Sequence, residues 1–93
     1  MKKKERFRKA ANILKAIAHP TRLMILDALC KKNECVREFE EDIKKRQANI
    51  SQHLAILRSA GLIDYTQDGK RRCYYLKKPE LVKSILNCIR KVK

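Results

Sequence analysis

QANISQHLAILRSAG, residues 47 to 61, runs straight into LIDYTQDGKRRCYYL, residues 62 to 76, and this junction decides the fold. In the first part, Ile50, Leu54 and Leu57 recur at helical spacing and share one face, which should pack on the domain. The opposite face carries Ala48, Gln52, Ala55 and Ser59, with Ser51 on its flank. Gly61 follows as a good left-handed cap, so the spacing predicts a helix over 47–60. From Leu62 the pattern changes. Residues 62–66 and 71–76 are rich in β-formers, and the Asp68-Gly69 pair between them favours a tight hairpin turn.

Upstream of this junction the chain reads as more helix. A corner falls near Lys45-Arg46, and a short helix is expected over 36–44. Glu38, Glu40, Glu41 and Asp42 lie in its first two turns, where the helix dipole favours the earlier ones. Before the polar break at Lys32-Asn33-Glu34, TRLMILDALCK (residues 21 to 31) is apolar nearly all round, as a helix in the centre of a core should be. Pro20 suits the first position of that helix and ends the preceding one, expected over 5–18. Phe7, Ala10, Ala11, Leu14, Ile17 and Ala18 share one side of the first helix, and Lys2 to Lys4 form a short basic arm ahead of it. Downstream of the hairpin, Pro79 opens a last helix to about residue 92. Four helices, a hairpin and a final helix make a mainly α single domain over residues 1–93, in the order of a winged helix-turn-helix.

In that architecture the second helix of the pair enters the major groove, and the hairpin lies along the backbone or minor groove. The exposed side chains fit this role. Small or neutral polar groups approach base edges at little desolvation cost: Gln52 can pair with adenine, and Ser51 with a base or a phosphate. No acid occurs between Asp42 and Asp64. Arg58 on the helix, Lys44, Lys45 and Arg46 before it, and Lys70, Arg71 and Arg72 beside the turn are candidate phosphate or minor-groove contacts.

Composition agrees. The 93 residues suffice for one modest core, which a second copy would help. A hydrophobic content of 44% excludes a disordered tail. Lys and Arg number 24 against 10 acids, a net +14 that calls for a polyanion: nucleic acid first, an anionic membrane surface second. No apolar run approaches the ~20 residues that span a bilayer. Lys9, Asn12 and Lys15 break the apolar part of the first 18 residues, which therefore read as a basic amphipathic helix and not a signal peptide. A cytoplasmic location is expected. Cys30, Cys35, Cys73 and Cys88 are scattered without zinc-ligand spacing, so most should be free thiols and no metal or other cofactor is expected. Paired carboxylates, a phosphate-cradling glycine loop and a nucleophile-base motif are all missing, so an enzyme is not expected. A non-specific architectural or RNA-binding module keeps the charge and the fold, and predicts a steep salt dependence alike for every duplex.

Three segments resemble one known family. LKAIAHPTRLMILDAL (14 to 29) is similar to the helix-break-helix entry of the ArsR/SmtB winged-helix repressors. QANISQHLAILRSAGLI (47 to 63) resembles their recognition helix, and DGKRRCYYL (68 to 76) their wing. The resemblance covers nearly the whole chain. It implies a homodimer that binds double-stranded DNA at an inverted repeat and is released by an inducer. Gln47, Ala48, Asn49, Ser51, Gln52 and His53 fall on the family's DNA-reading stretch. His53 lies near the buried edge of the helix, where a structural hydrogen bond is the simpler role.

A dimer also has support from the residues themselves. Leu81, Val82, Ile85, Leu86, Cys88, Ile89 and Val92 make an apolar arc of roughly 160° on the last helix, and Phe7 and Leu14 belong to a similar arc on the first. The inducer is less legible. Where metal-sensing relatives carry Cys-Val-Cys, this chain reads Cys35-Val36-Arg37. Its last helix contains Glu80 but no His, so both metal patterns are broken. Thiol-sensing relatives use one Cys on the second helix and one on the last. Cys30 and Cys88 stand on those elements, although Cys30 lies three residues beyond the matching position at Asp27. Small cysteines packed in a core are the simpler reading, and a thiol switch at Cys30 and Cys88 is the alternative ahead of metal sensing.

Overall fold

Pro20 divides the N-terminal third into two helices, α1 (Lys2–Ile17) and α2 (Pro20–Lys31). The computed structural model describes residues 2–31, 34–35 and 49–91. α1 takes in Lys2 to Lys4, so the expected basic arm is helical and the helix begins before residue 5. At the corner the Ala18 N–H still donates to the Leu14 carbonyl at 3.0 Å. His19 then caps α2. Its carbonyl accepts from the Leu23 N–H at 2.9 Å, and its Nδ1 accepts from the Thr21 N–H at 3.0 Å. An imidazole thus satisfies one of the free donors of the first turn, while Pro20 removes another. As its apolar sequence predicts, α2 is central: Ile25, Leu26 and Leu29 are buried with Ala16, Ile17, Leu54, Leu57 and Val82.

Beyond α2 lies a strand that the hairpin reading missed. β1 (Glu34–Cys35) pairs antiparallel with the second hairpin strand, so the sheet has three strands in the order β1-β3-β2. The short helix expected over 36–44 and the first residues of the helix expected from 47 lie outside the described residues.

The helix expected from residue 47 is α3, which spans Ile50–Ser59 and starts no earlier than Ile50. The reason is Asn49, whose φ of 61° and ψ of 32° place it in the left-handed region. Such a residue cannot lie within a right-handed helix, and Asn tolerates the conformation better than other side chains. The Asn49 carbonyl accepts from the Gln52 and His53 N–H groups at 3.1 and 3.2 Å, so the helix starts immediately after it. At the other end, the Gly61 N–H donates to the Arg58 carbonyl at 3.0 Å and the Leu62 N–H to the Leu57 carbonyl at 3.1 Å. With Gly61 at φ 77° this is a Schellman cap, closed by fully buried Leu57 and Leu62.

The chain turns directly into β2 (Ile63–Asp68) and returns as β3 (Arg71–Leu76). Register pairs Ile63 with Leu76 and Asp68 with Arg71, leaving Gly69-Lys70 as the two-residue loop. The turn is thus one residue later than an Asp-Gly loop would be. Gly69, at φ 65°, takes the positive φ at the first loop position, where a primed turn of the second type requires glycine. Pro79 is the first residue of α4 (Pro79–Arg90), which seats Val82 and Leu86 in the core.

Candidate nucleic-acid interface

The face of α3 opposite Ile50, Leu54 and Leu57 is open. Ser51, Gln52, Ala55 and Ser59 are all exposed, as is Asn49 just before the helix. No acid lies on this helix. Gln47 and Ala48, also expected on the reading stretch, lie outside the described residues. The open face is narrow in chemistry as well as width: an amide and hydroxyls flanked by a methyl group, a set suited to base edges.

His53 sits at the edge of this face, half-buried, with its ring 4.4 Å from that of His19. Its Nδ1 is buried without a hydrogen-bond partner. Burial, followed by the neighbouring His19 and Arg22, pushes the His53 imidazole below its ordinary pKa. The contact joins the α2 cap to the recognition helix, which gives His53 a packing role.

Arg58 is the residue whose place differs most from a simple phosphate contact. Its Nε–H donates to Asp64 Oδ1 at 3.0 Å, and its guanidinium lies 4.6 Å from the centre of the Tyr65 ring. Arg72, from β3, lies 4.6 Å from the same ring. Tyr65 in turn packs on Tyr74 across the hairpin, with ring centres 5.3 Å apart. The Tyr65 N–H donates to Asp64 Oδ1 at 2.9 Å; with Arg58 it holds that carboxyl below the usual carboxylate range. These contacts clasp the end of the reading helix to the wing. Asp64 and Tyr65 were not among the residues singled out in the sequence. The available signal was Asp64 as the first acid after an acid-free helix, just past the Gly61 turn. At the wing tip, Lys70 is exposed, while Arg71 is half-buried opposite Asp68.

The candidate interface between copies splits by depth. Phe7 and Leu14 on α1 and Leu81 and Ile89 on α4 are exposed, and so is Cys88; Ile85 is half-buried and packs partly on the core. Val92 lies outside the described residues. Cys30 and Cys88 are both free thiols. The structure does not bring them onto one face. Cys30 shares a pocket with Lys83, Leu86, Asn87 and Arg90 of α4. At ~100° per residue, Cys88 lies roughly 150° round the helix from that group. Burial pushes the Cys30 thiol up, against the opposing effect of Lys83. Cys73, by contrast, is disulfide-bonded, which corrects the expectation of free thiols there; its Cα stands opposite that of Cys35 in the sheet.

Comparison with known proteins gives the same architecture a family. The family model described as "Bacterial regulatory protein, arsR family" matches residues 19–65. The chain is 42% identical over 73 residues to an uncharacterised HTH-type transcriptional regulator of Methanocaldococcus jannaschii, covering 77% of this chain and 82% of that protein. It is 38% identical over 72 residues to the biofilm growth-associated repressor of Agrobacterium fabrum, covering 77% and 62% of the two chains. The crystal structure of NolR from Sinorhizobium fredii superposes with a TM-score of 0.82 at 32% identity, over 98% of this chain and 90% of that one. The chain therefore belongs to the ArsR family of bacterial regulatory proteins: it is a winged helix-turn-helix regulator of transcription and not an enzyme.

Proposed function

We propose that the protein is a cytoplasmic homodimeric repressor, which binds an inverted-repeat operator with sequence preference and is released by an inducer. The observation that carries this reading is the open, acid-free face of α3, with Ser51, Gln52 and Ala55 exposed beside a basic hairpin tip. Gln52 reads a base edge, with Asn49 and Ser51 beside it. Lys70 and Arg71 reach the backbone or minor groove, while Arg58 and Arg72 hold the two elements in register. Exposed apolar residues on both terminal helices supply the surface for a second copy. Twofold symmetry then sets two α3 helices about one DNA turn apart, or a multiple of it. The Agrobacterium relative is named a repressor, which supports the sense of regulation.

Of the inducer classes, a thiol or oxidant signal fits the chain better than a metal, because Arg37 replaces a metal-binding cysteine and α4 has no His. Cys30 and Cys88 are the free candidate thiols for it, Cys88 on the helix face proposed for the second copy.

A fluorescence-anisotropy titration at near-physiological salt tests the reading. The reduced protein should prefer the DNA upstream of its own gene to a scrambled duplex by ~10³ or more. Equal affinity for these and for genomic operator candidates would leave a basic domain that coats nucleic acid without reading it.

A further inference from the structure

β3 is the middle strand of the sheet, and Cys73 stands on it between Thr66 of β2 and Cys35 of β1. The chain has four cysteines. Cys30 and Cys88 are free and Cys73 is disulfide-bonded, so Cys35 is the one cysteine left to pair with it. Residues directly opposed in an antiparallel ladder have Cα atoms about 4.5 to 5.5 Å apart, inside the span that a disulfide bridges. The register of β1 on β3 thus brings these two positions to bonding distance with no movement of the backbone. The two strands differ in how firmly they are held. β3 is paired along its whole length with β2, whereas β1 is a two-residue edge that so short a ladder holds weakly. A bond at this place therefore decides whether β1 stays. The ring that it closes spans residues 36–72, which include all of α3, all of β2 and the wing turn.

We propose that Cys35 and Cys73 form a reversible redox site, closed by a low-molecular-weight disulfide and opened by the corresponding thiol. One cysteine thiolate attacks the disulfide RSSR, forms a mixed disulfide and expels RS⁻. The second thiolate attacks the protein sulfur of that mixed disulfide and expels another RS⁻. The two protons shed by the cysteines convert the leaving groups to two RSH, so the protein pair loses two electrons and RSSR gains them. Excess RSH runs both steps backwards. Cys73 is half-buried, which leaves it open to a reagent of this size. The proposal rests on the cytoplasmic reading above, because in a reducing compartment a disulfide is transient and responsive. It gives the thiol or oxidant signal an address on the sheet, separate from Cys30 of α2 and Cys88 of α4.

The test treats the full chain, first reduced, with glutathione disulfide and counts free thiols by alkylation in urea and intact mass. The reduced protein should take up four alkyl groups and the oxidised protein two, with residues 35 and 73 in one cross-linked peptide. Reduced glutathione, added to the folded protein before alkylation, should restore all four. On reduction the β3 amides that point to β1 should exchange about tenfold faster or more, while those that point to β2 hold. The melting temperature should fall by the order of 10 °C. Cys73→Ser and Cys35→Ser should each fix the reduced behaviour, and Cys30→Ser should leave the cycle intact. Cross-links through Cys30 or Cys88, a bond between two chains, or a bond that glutathione cannot open in the folded protein would overturn the proposal. Anisotropy on the same samples keeps the two readings apart. A pair that cycles in a protein with no duplex preference removes the repressor and leaves the redox site; a selective protein whose pair never closes removes only the redox site.

Discussion

Replacing Gln52 by glutamate puts a carboxylate in the middle of an exposed, acid-free face, where it meets phosphates and base edges with the wrong sign. Gln52→Glu should lower affinity for the specific duplex by about a hundredfold or more at an unchanged melting temperature, read by anisotropy and circular dichroism. His53 makes a different prediction. Its folded-state pKa is depressed, so below about pH 6.5 the unfolded chain takes up a proton that the folded chain resists. Stability should therefore be flat above that pH and fall as the pH drops through it, and thermal melts of His53→Gln should show a weaker fall between pH 7.5 and 5.5. An equal fall in both proteins would place the titration elsewhere. The exposure of Ser51 and Gln52 was legible in the sequence because it follows directly from helical spacing. The contact of His53 with His19 was not, since it joins two helices distant along the chain. Arg58 was legible as a basic residue on the right helix, but its engagement with Asp64 and Tyr65 needed the angle between helix and hairpin.

Among the elements, α2, the hairpin and α4 kept the positions that Pro20, Gly69 and Pro79 marked for them. Proline and glycine punctuate the backbone directly, so their signals survive tertiary context. The start of α3 did not, because a single Asn in the left-handed region interrupts an otherwise helical pattern. β1 left no local signal either: two residues of strand exist only because β3 offers them an edge. The Schellman cap gives the test at this scale. Nothing lies within 4 Å of a Cβ built at Gly61, so the cost of Gly61→Ala is torsional, at φ 77°. Urea unfolding should show a loss of about 1 kcal/mol, whereas Asn49→Gly should be tolerated.

For the molecule as a whole, the broad apolar arc of the last helix proves to be two surfaces laid side by side. Val82 and Leu86 face the core, while Leu81 and Ile89 are 37% and 40% exposed. A wide arc announced surplus apolar surface, but only packing could divide it. Ile89→Asp is therefore a cleaner probe of dimerisation than Ile85→Asp, since Ile85 also touches the core. It should halve the mass measured by sedimentation, leave the circular dichroism spectrum unchanged and weaken operator binding. A dimeric Ile89→Asp protein would remove α4 from the interface. The net charge of +14 adds that operator binding should weaken steeply with salt, the logarithm of affinity falling linearly with that of salt concentration.

The clasp of Arg58, Asp64, Tyr65 and Arg72 has a mechanical consequence. Because the end of α3 is joined to the wing by an ion pair and two guanidinium–ring contacts, the two parts proposed to touch DNA are linked within a protomer as one jaw. A calliper with stiff jaws changes its span only at the hinge. In the proposed dimer, an inducer would gain most by altering the distance between the two jaws.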